Sequence, residues 1–100
     1  MTAPIRAIHI SGRDQYRETA LVGSVWFSAV GIGGSQAMWF FCPCGCGDQA
    51  RIEIGSGKKP DSSPSWHWNG RMDAPTLTPS VRQLNCGWHG WLRDGYWEVC

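Results

Sequence analysis

The stretch Cys42-Pro43-Cys44-Gly45-Cys46-Gly47 decides how the rest of this 100-residue chain is read. Three thiols stand on alternate positions with only Pro and Gly between them. Core packing gives no reason for that pattern. A disulfide between neighbours at i and i+2 is strained, because bridged Cβ atoms must approach to about 4 Å at a defined dihedral. A metal ion suits the cluster, since thiolate sulfurs converge on it at about 2.3 Å. Downstream, Cys86-Gly87-Trp88-His89 offers a thiol and an imidazole three residues apart. A Cys-rich turn followed later by Cys-x-x-His is the ligand spacing of a structural zinc site, so Zn2+ is the expected cofactor.

Five candidate ligands, Cys42, Cys44, Cys46, Cys86 and His89, compete for four tetrahedral positions. In extended backbone residues i and i+2 share a face, so each adjacent thiol pair is feasible. Gly45 and Gly47 free the chain to wrap around an ion. The preferred set is Cys44, Cys46, Cys86 and His89, with Cys42 as the substitute. Cys100 is expected to fray, and His67, between Trp66 and Trp68, to face solvent or a polar partner. His9 gives no signal.

Outward from the cluster, the pattern is mostly β. Ala37–Phe41 runs into the metal turn and Arg51–Ile54 alternates out of it, the strand–turn–strand of a zinc ribbon. Leu21–Val30 is rich in β-branched and aromatic residues and reads as a strand. Ile5–Ile10 is a further strand, and Asp14–Ala20 a short helical turn. Gly31–Ser35 and Gly55–Ser65 are polar or Gly-rich loops. Trp66–Asn69 is a short strand with both indoles on one face, and the two prolines make Pro75–Val81 extended. At the end, Asp94-Gly95 between Trp91–Arg93 and Tyr96–Val99 has type I′ hairpin chemistry. The expected fold is a small zinc-ribbon-like β domain over residues 1–100, with a Cys-rich metal hairpin and a C-terminal β-hairpin.

Composition narrows the function classes. Nine basic and eight acidic residues give a formal charge of +1, which provides no strong field for nucleic acid or anionic membrane. From Thr19 to Gly47 there is no charged residue. Glycines, serines and the Cys cluster interrupt that run, so two strands around a turn fit better than a membrane helix. The start, Met1-Thr2-Ala3-Pro4-Ile5-Arg6, has no apolar region of the signal-peptide kind. With five cysteines, this points to a reducing cytoplasm and to metal ligation.

The run Phe41-Cys-Pro-Cys-Gly-Cys-Gly47, the Trp66-x-Trp68 element, Pro75-Thr-Leu-Thr-Pro-Ser80 and Cys86-Gly-Trp-His-Gly-Trp-Leu-Arg-Asp-Gly95 together resemble a bacterial and phage domain-of-unknown-function family. Some of its members carry an inherited "ammonia monooxygenase" label. The resemblance spans roughly Val22 to Trp97. It implies a small zinc-binding protein of phages, prophages and mobile elements, some relatives lying near bacterial ubiquitin-like conjugation genes. The family's recurring ligand positions match Cys42, Cys44, Cys46, Cys86 and His89; Cys100 falls outside them. Ammonia oxidation would need copper and membrane spans, and thiolates without a persuasive span do not supply them.

For chemistry, a Cys-rich site tends to be closed and structural, whereas catalytic zinc keeps an open position. The His-x-Glu of zinc deaminases is absent from the three His contexts. Asp48 is the acid to test as a base in a zinc-dependent hydrolase. Gly31-x-Gly33-Gly34 lacks the Lys and helix of a phosphate loop, and no nucleophile triad stands out in sequence. Seven tryptophans exceed what a core of this size requires. Trp88, Trp91 and Trp97, with Tyr96 and Arg93, cluster in sequence round the second half-site and the last hairpin, a composition expected of a protein-recognition surface. The expectation is a non-catalytic zinc-binding module with a protein partner. The alternatives are the hydrolase, or a single-stranded nucleic-acid binder using Trp stacking with Arg71, Arg82, Arg93 and Lys58-Lys59.

Overall fold

The computed structural model describes residues 3–31, 34, 36–56, 59–61, 63–84 and 86–100; Gly33 and Lys58, named above, lie outside them. The chain order is β1 (Ile5–Arg6), α1 (Arg13–Thr19), β2 (Val25–Phe27), β3 (Gln36–Phe41), β4 (Gln49–Ser56), β5 (Trp66–Trp68), β6 (Leu77–Thr78), β7 (Val81–Arg82), β8 (His89–Arg93) and β9 (Tyr96–Val99). Two sheets result, a five-stranded one in the order β2-β3-β4-β5-β6 and a four-stranded one in the order β1-β9-β8-β7. The mostly β reading of the sequence therefore holds.

The Cys-rich turn joins two antiparallel strands, as the sequence indicates. β3 and β4 pair antiparallel from Phe41↔Gln49 to Gln36↔Ile54, with the Cys-rich turn between them. β4 is longer than expected at both ends, and its Ile54–Ser56 end pairs in parallel with β5. That pairing takes Gly55 and Ser56 out of the predicted loop. The terminal hairpin also forms, with Asp94 at φ 48° and Gly95 at φ 81°, the double positive φ of a type I′ turn.

Two expected strands are shorter. Ile5–Ile10 keeps only two residues in β1, with a separate bridge from His9 to Val25. Leu21–Val30 shrinks to Val25–Phe27, because Ser24 N–H turns back to the Leu21 carbonyl at 3.0 Å. Gly23, at φ 77°, leaves space that a Cβ would fill 3.0 Å from Ile5 and 3.1 Å from Trp97. Asp14–Ala20 does form a helix, shifted one residue earlier. Seven residues are too few to hold a helix alone. Tyr16 anchors it, 1 % exposed, with its ring 4.8 Å from that of Phe41.

The inner faces of both sheets meet in one core. Val25, Phe27, Met38, Phe40, Ile54, Trp68 and Leu77 come from the five-stranded sheet, and Val81, Leu92 and Trp97 from the four-stranded one. Trp97 joins the layers twice, its ring tilted by 41° against Phe40 with centroids 4.8 Å apart and its indole N–H donating to the Gly23 carbonyl at 2.8 Å. The chain passes between sheets at Pro79-Ser80, which link β6 to β7. Among the described residues, no helix is long and apolar enough to cross a membrane.

Candidate active site and metal centre

The Cys-rich turn is closed by its own backbone. Cys42 N–H donates to the Asp48 carbonyl at 2.9 Å, and Gly45 N–H to the Cys42 carbonyl at 3.1 Å. Gly45 and Gly47 take φ of 86° and 88°, which ordinary side chains resist. Across from the turn, the loop from β7 to β8 folds on itself: Gly87 N–H reaches the Gln83 carbonyl at 2.8 Å, and Gln83 N–H the Trp88 carbonyl at 2.7 Å. This loop carries Cys86 to the turn.

Four sulfurs converge there. Cys42 Sγ lies 3.3 Å from both Cys44 Sγ and Cys86 Sγ, and Cys44 Sγ lies 3.6 Å from Cys86 Sγ. With Cys46, all four ligand atoms fall within 4.8 Å of one another. Tetrahedral zinc with bonds of about 2.3 Å needs sulfur separations of about 3.8 Å, so this donor set fits a metal ion. The electrostatics suit thiolate formation at one position. Cys44 is lowered to about 7, first by the Cys42 thiol, then by the Cys46 thiol and the Cys46 backbone N–H. Burial pushes Cys42 up, against the Cys44 backbone N–H that favours its thiolate. Such thiols bind once a cation offsets the desolvation.

His89 lies elsewhere. It opens β8, and its Nε2 is 2.9 Å from Ser80 Oγ. So the structure gathers Cys42, Cys44, Cys46 and Cys86, and engages His89 with a hydroxyl. Asp48 meets the turn through its carbonyl. Cys100 is exposed at the end of β9, where its N–H donates to the His89 carbonyl at 3.0 Å. His67 is half-buried on β5, opposite Thr78 of β6.

The Ser80–His89 pair is the feature that sequence reasoning missed. Both residues are half-buried. Arg82 of β7 sits directly opposite His89. Ser80, two residues before Arg82, is therefore a diagonal neighbour on the same face. Its backbone is held as well, since the Trp66 indole N–H donates to the Ser80 carbonyl at 3.1 Å. A hydroxyl hydrogen-bonded to an imidazole is the minimal arrangement for an activated serine nucleophile.

No curated protein and no solved structure matches this chain. A family model does, over residues 12–100, a span holding all four clustered cysteines, Ser80 and His89. On that match, the chain belongs to the family described as bacterial ubiquitination-like system serine protease (BubE).

Proposed function

We propose that this domain is a serine peptidase of a bacterial ubiquitination-like system, with Ser80 as nucleophile and His89 as its general base. The observation that carries this reading is the 2.9 Å contact between Ser80 Oγ and His89 Nε2, and the family description supports it. Ser80 Oγ attacks the substrate carbonyl carbon while Nε2 accepts the hydroxyl proton. The tetrahedral adduct collapses as the imidazolium returns that proton to the leaving amine, giving an ester on Ser80. Water then attacks the ester with His89 again as base, releasing the acid and restoring the hydroxyl.

In this reading the ion is zinc, held by Cys42, Cys44, Cys46 and Cys86. Its role is structural, since four thiolates leave no open position. A closed site also argues against the zinc-dependent hydrolase and gives Asp48 no catalytic duty. The five free thiols favour a reducing cytoplasm, and the substrate is a protein of the same system.

A second observation keeps protein recognition in view: the Arg93 guanidinium lies 4.4 Å from the Trp91 ring centroid. That stacked pair stands on the His89 face of β8, where it would contact substrate flanking the scissile bond.

A fluorophosphonate probe tests the assignment. Wild-type protein should be labelled on Ser80, with labelling and peptide hydrolysis reduced at least ~10³-fold in Ser80→Ala and His89→Gln. Wild-type protein that is folded but inert to the probe, or Ser80→Ala that keeps full activity, would return the domain to the non-catalytic zinc module.

A further inference from the structure

On the outer face of the five-stranded sheet, Trp26, Trp39 and Arg51 form one cross-strand row. Trp26 pairs with Trp39, and Trp39 with Arg51. The helix α1 covers only part of this face. Its Tyr16 packs on Phe41, while Arg13 and Arg17, four residues apart, share one face of the helix and line the cleft with Tyr16. Where the helix stops covering the sheet, a cleft of about 250 Å³ opens. Arg13, Arg17 and Arg51 surround it, and Trp26 and Trp39 are half-buried in its floor. The helix acids Asp14 and Glu18 do not line it. Arg51 is ion-paired with Glu53 at 2.9 Å, while neither Arg13 nor Arg17 is ion-paired among the described residues.

We infer that this cleft is a docking site for an acidic segment of a partner protein that carries a flat or branched apolar residue beside its carboxylates. Guanidinium forks match carboxylate geometry, and the indole floor takes the apolar side chain. Trp and Arg are the residues that dominate protein-binding hot spots. Charge complementarity is local: the chain as a whole carries only +1, so the attraction comes from Arg13 and Arg17 at the cleft, Arg51 being offset by Glu53. A cup of this size admits one or two side chains. It does not provide the extended basic track that a nucleic-acid strand follows. The inference stands apart from the Ser80 assignment, because none of these residues belongs to the Ser80–His89 pair.

The probe is a mixture of capped hexapeptides with Asp or Glu at alternating positions and Leu, Phe or Tyr between them. Binding is followed by the indole N–H resonances of the metal-loaded protein, with Trp26 and Trp39 assigned through their Phe variants. The mixture should shift those two signals. Apparent affinity should fall about tenfold in Arg13→Gln/Arg17→Gln, whose exposed positions leave the remaining spectrum in place. An Asn/Gln version of the mixture should bind at least tenfold more weakly. No shift at Trp26 and Trp39, or equal binding by the double variant, overturns the inference. So does an oligothymidine that shifts the same signals at lower concentration than the peptides. Fluorophosphonate labelling of Ser80 is unchanged in the Arg variants, so failure here is separable from failure of the peptidase reading.

Discussion

Ser80 and His89, the proposed nucleophile and base, show why such a pair is hard to read from one chain. Ser80 is one serine among many, and although it ends the Pro75–Ser80 motif, nothing in that motif marks its hydroxyl as a nucleophile. His89 has a competing explanation, because Cys86-x-x-His89 is zinc-ligand spacing. Only the register that sets Arg82 opposite His89 brings the hydroxyl within reach. The cysteine candidates stood out in sequence because thiols at alternate positions have few other uses, whereas the preference for His89 over Cys42 differs from the four cysteines that the structure gathers. Gly90, next to His89, makes a residue-scale prediction. A Cβ there would collide with the Glu98 carbonyl oxygen and lie 2.6 Å from the Trp88 ring. β9 and Trp88 would have to move, and His89 with them. Gly90→Ala should therefore lower stability by about 1–3 kcal/mol by chemical denaturation. Labelling of Ser80 should slow even at temperatures where the variant is fully folded. Unchanged labelling would show that the close packing around Gly90 does not position the imidazole.

Elements whose signals are local were legible, and those set by distant contacts were not. The β3 turn and the Asp94-Gly95 hairpin carry their chemistry within a few residues. The ends of β2 depend on Gly23, whose carbonyl serves Trp97 from the other sheet. His9 is another such case, silent in sequence but placed against β2. Its neighbours bond on either side of it, Ile10 N–H to the Val25 carbonyl at 3.0 Å and Val25 N–H to the Ile8 carbonyl at 2.9 Å. Its imidazole meets Phe27 edge-on with centroids 5.5 Å apart. Burial holds the His9 pKa below its ordinary value, so the folded state disfavours the imidazolium. The unfolded chain then takes up the proton at higher pH than the folded one. The His9 contribution is intact above the unfolded value of about 6.5 and is lost as pH falls below it. Denaturant midpoints at pH 8 and pH 5 should differ less in His9→Gln than in the wild type. An equal difference in both would assign the acid sensitivity to other groups.

At the scale of the whole molecule, the two-sheet arrangement could not be read from sequence, since β1 joins β9 across nearly the full chain. That arrangement gives the cysteine cluster a larger task than closing one hairpin. Cys42 follows β3 of the five-stranded sheet, whereas Cys86 lies in the loop joining β7 and β8 of the four-stranded one. An ion bound to both therefore staples the layers together, and it does so three residues before His89. Closing the chain between positions 44 residues apart restricts the unfolded state by about 4 kcal/mol on cross-link entropy. For a domain of this size that is a shift in Tm of about 15–30 °C. Chelation should produce a drop of that order, and Cys86→Ser should match it. Cys100→Ser should leave Tm unchanged, because Cys100 lies outside the cluster. Labelling of Ser80 should be lost on chelation well below the apo Tm and return with added Zn2+, since the freed loop no longer holds the start of β8. Labelling that survives chelation in a folded protein would show that the Ser80–His89 pair is held by the sheet alone. A Tm insensitive to chelation in protein shown to lose its metal would remove the staple from the account of stability altogether.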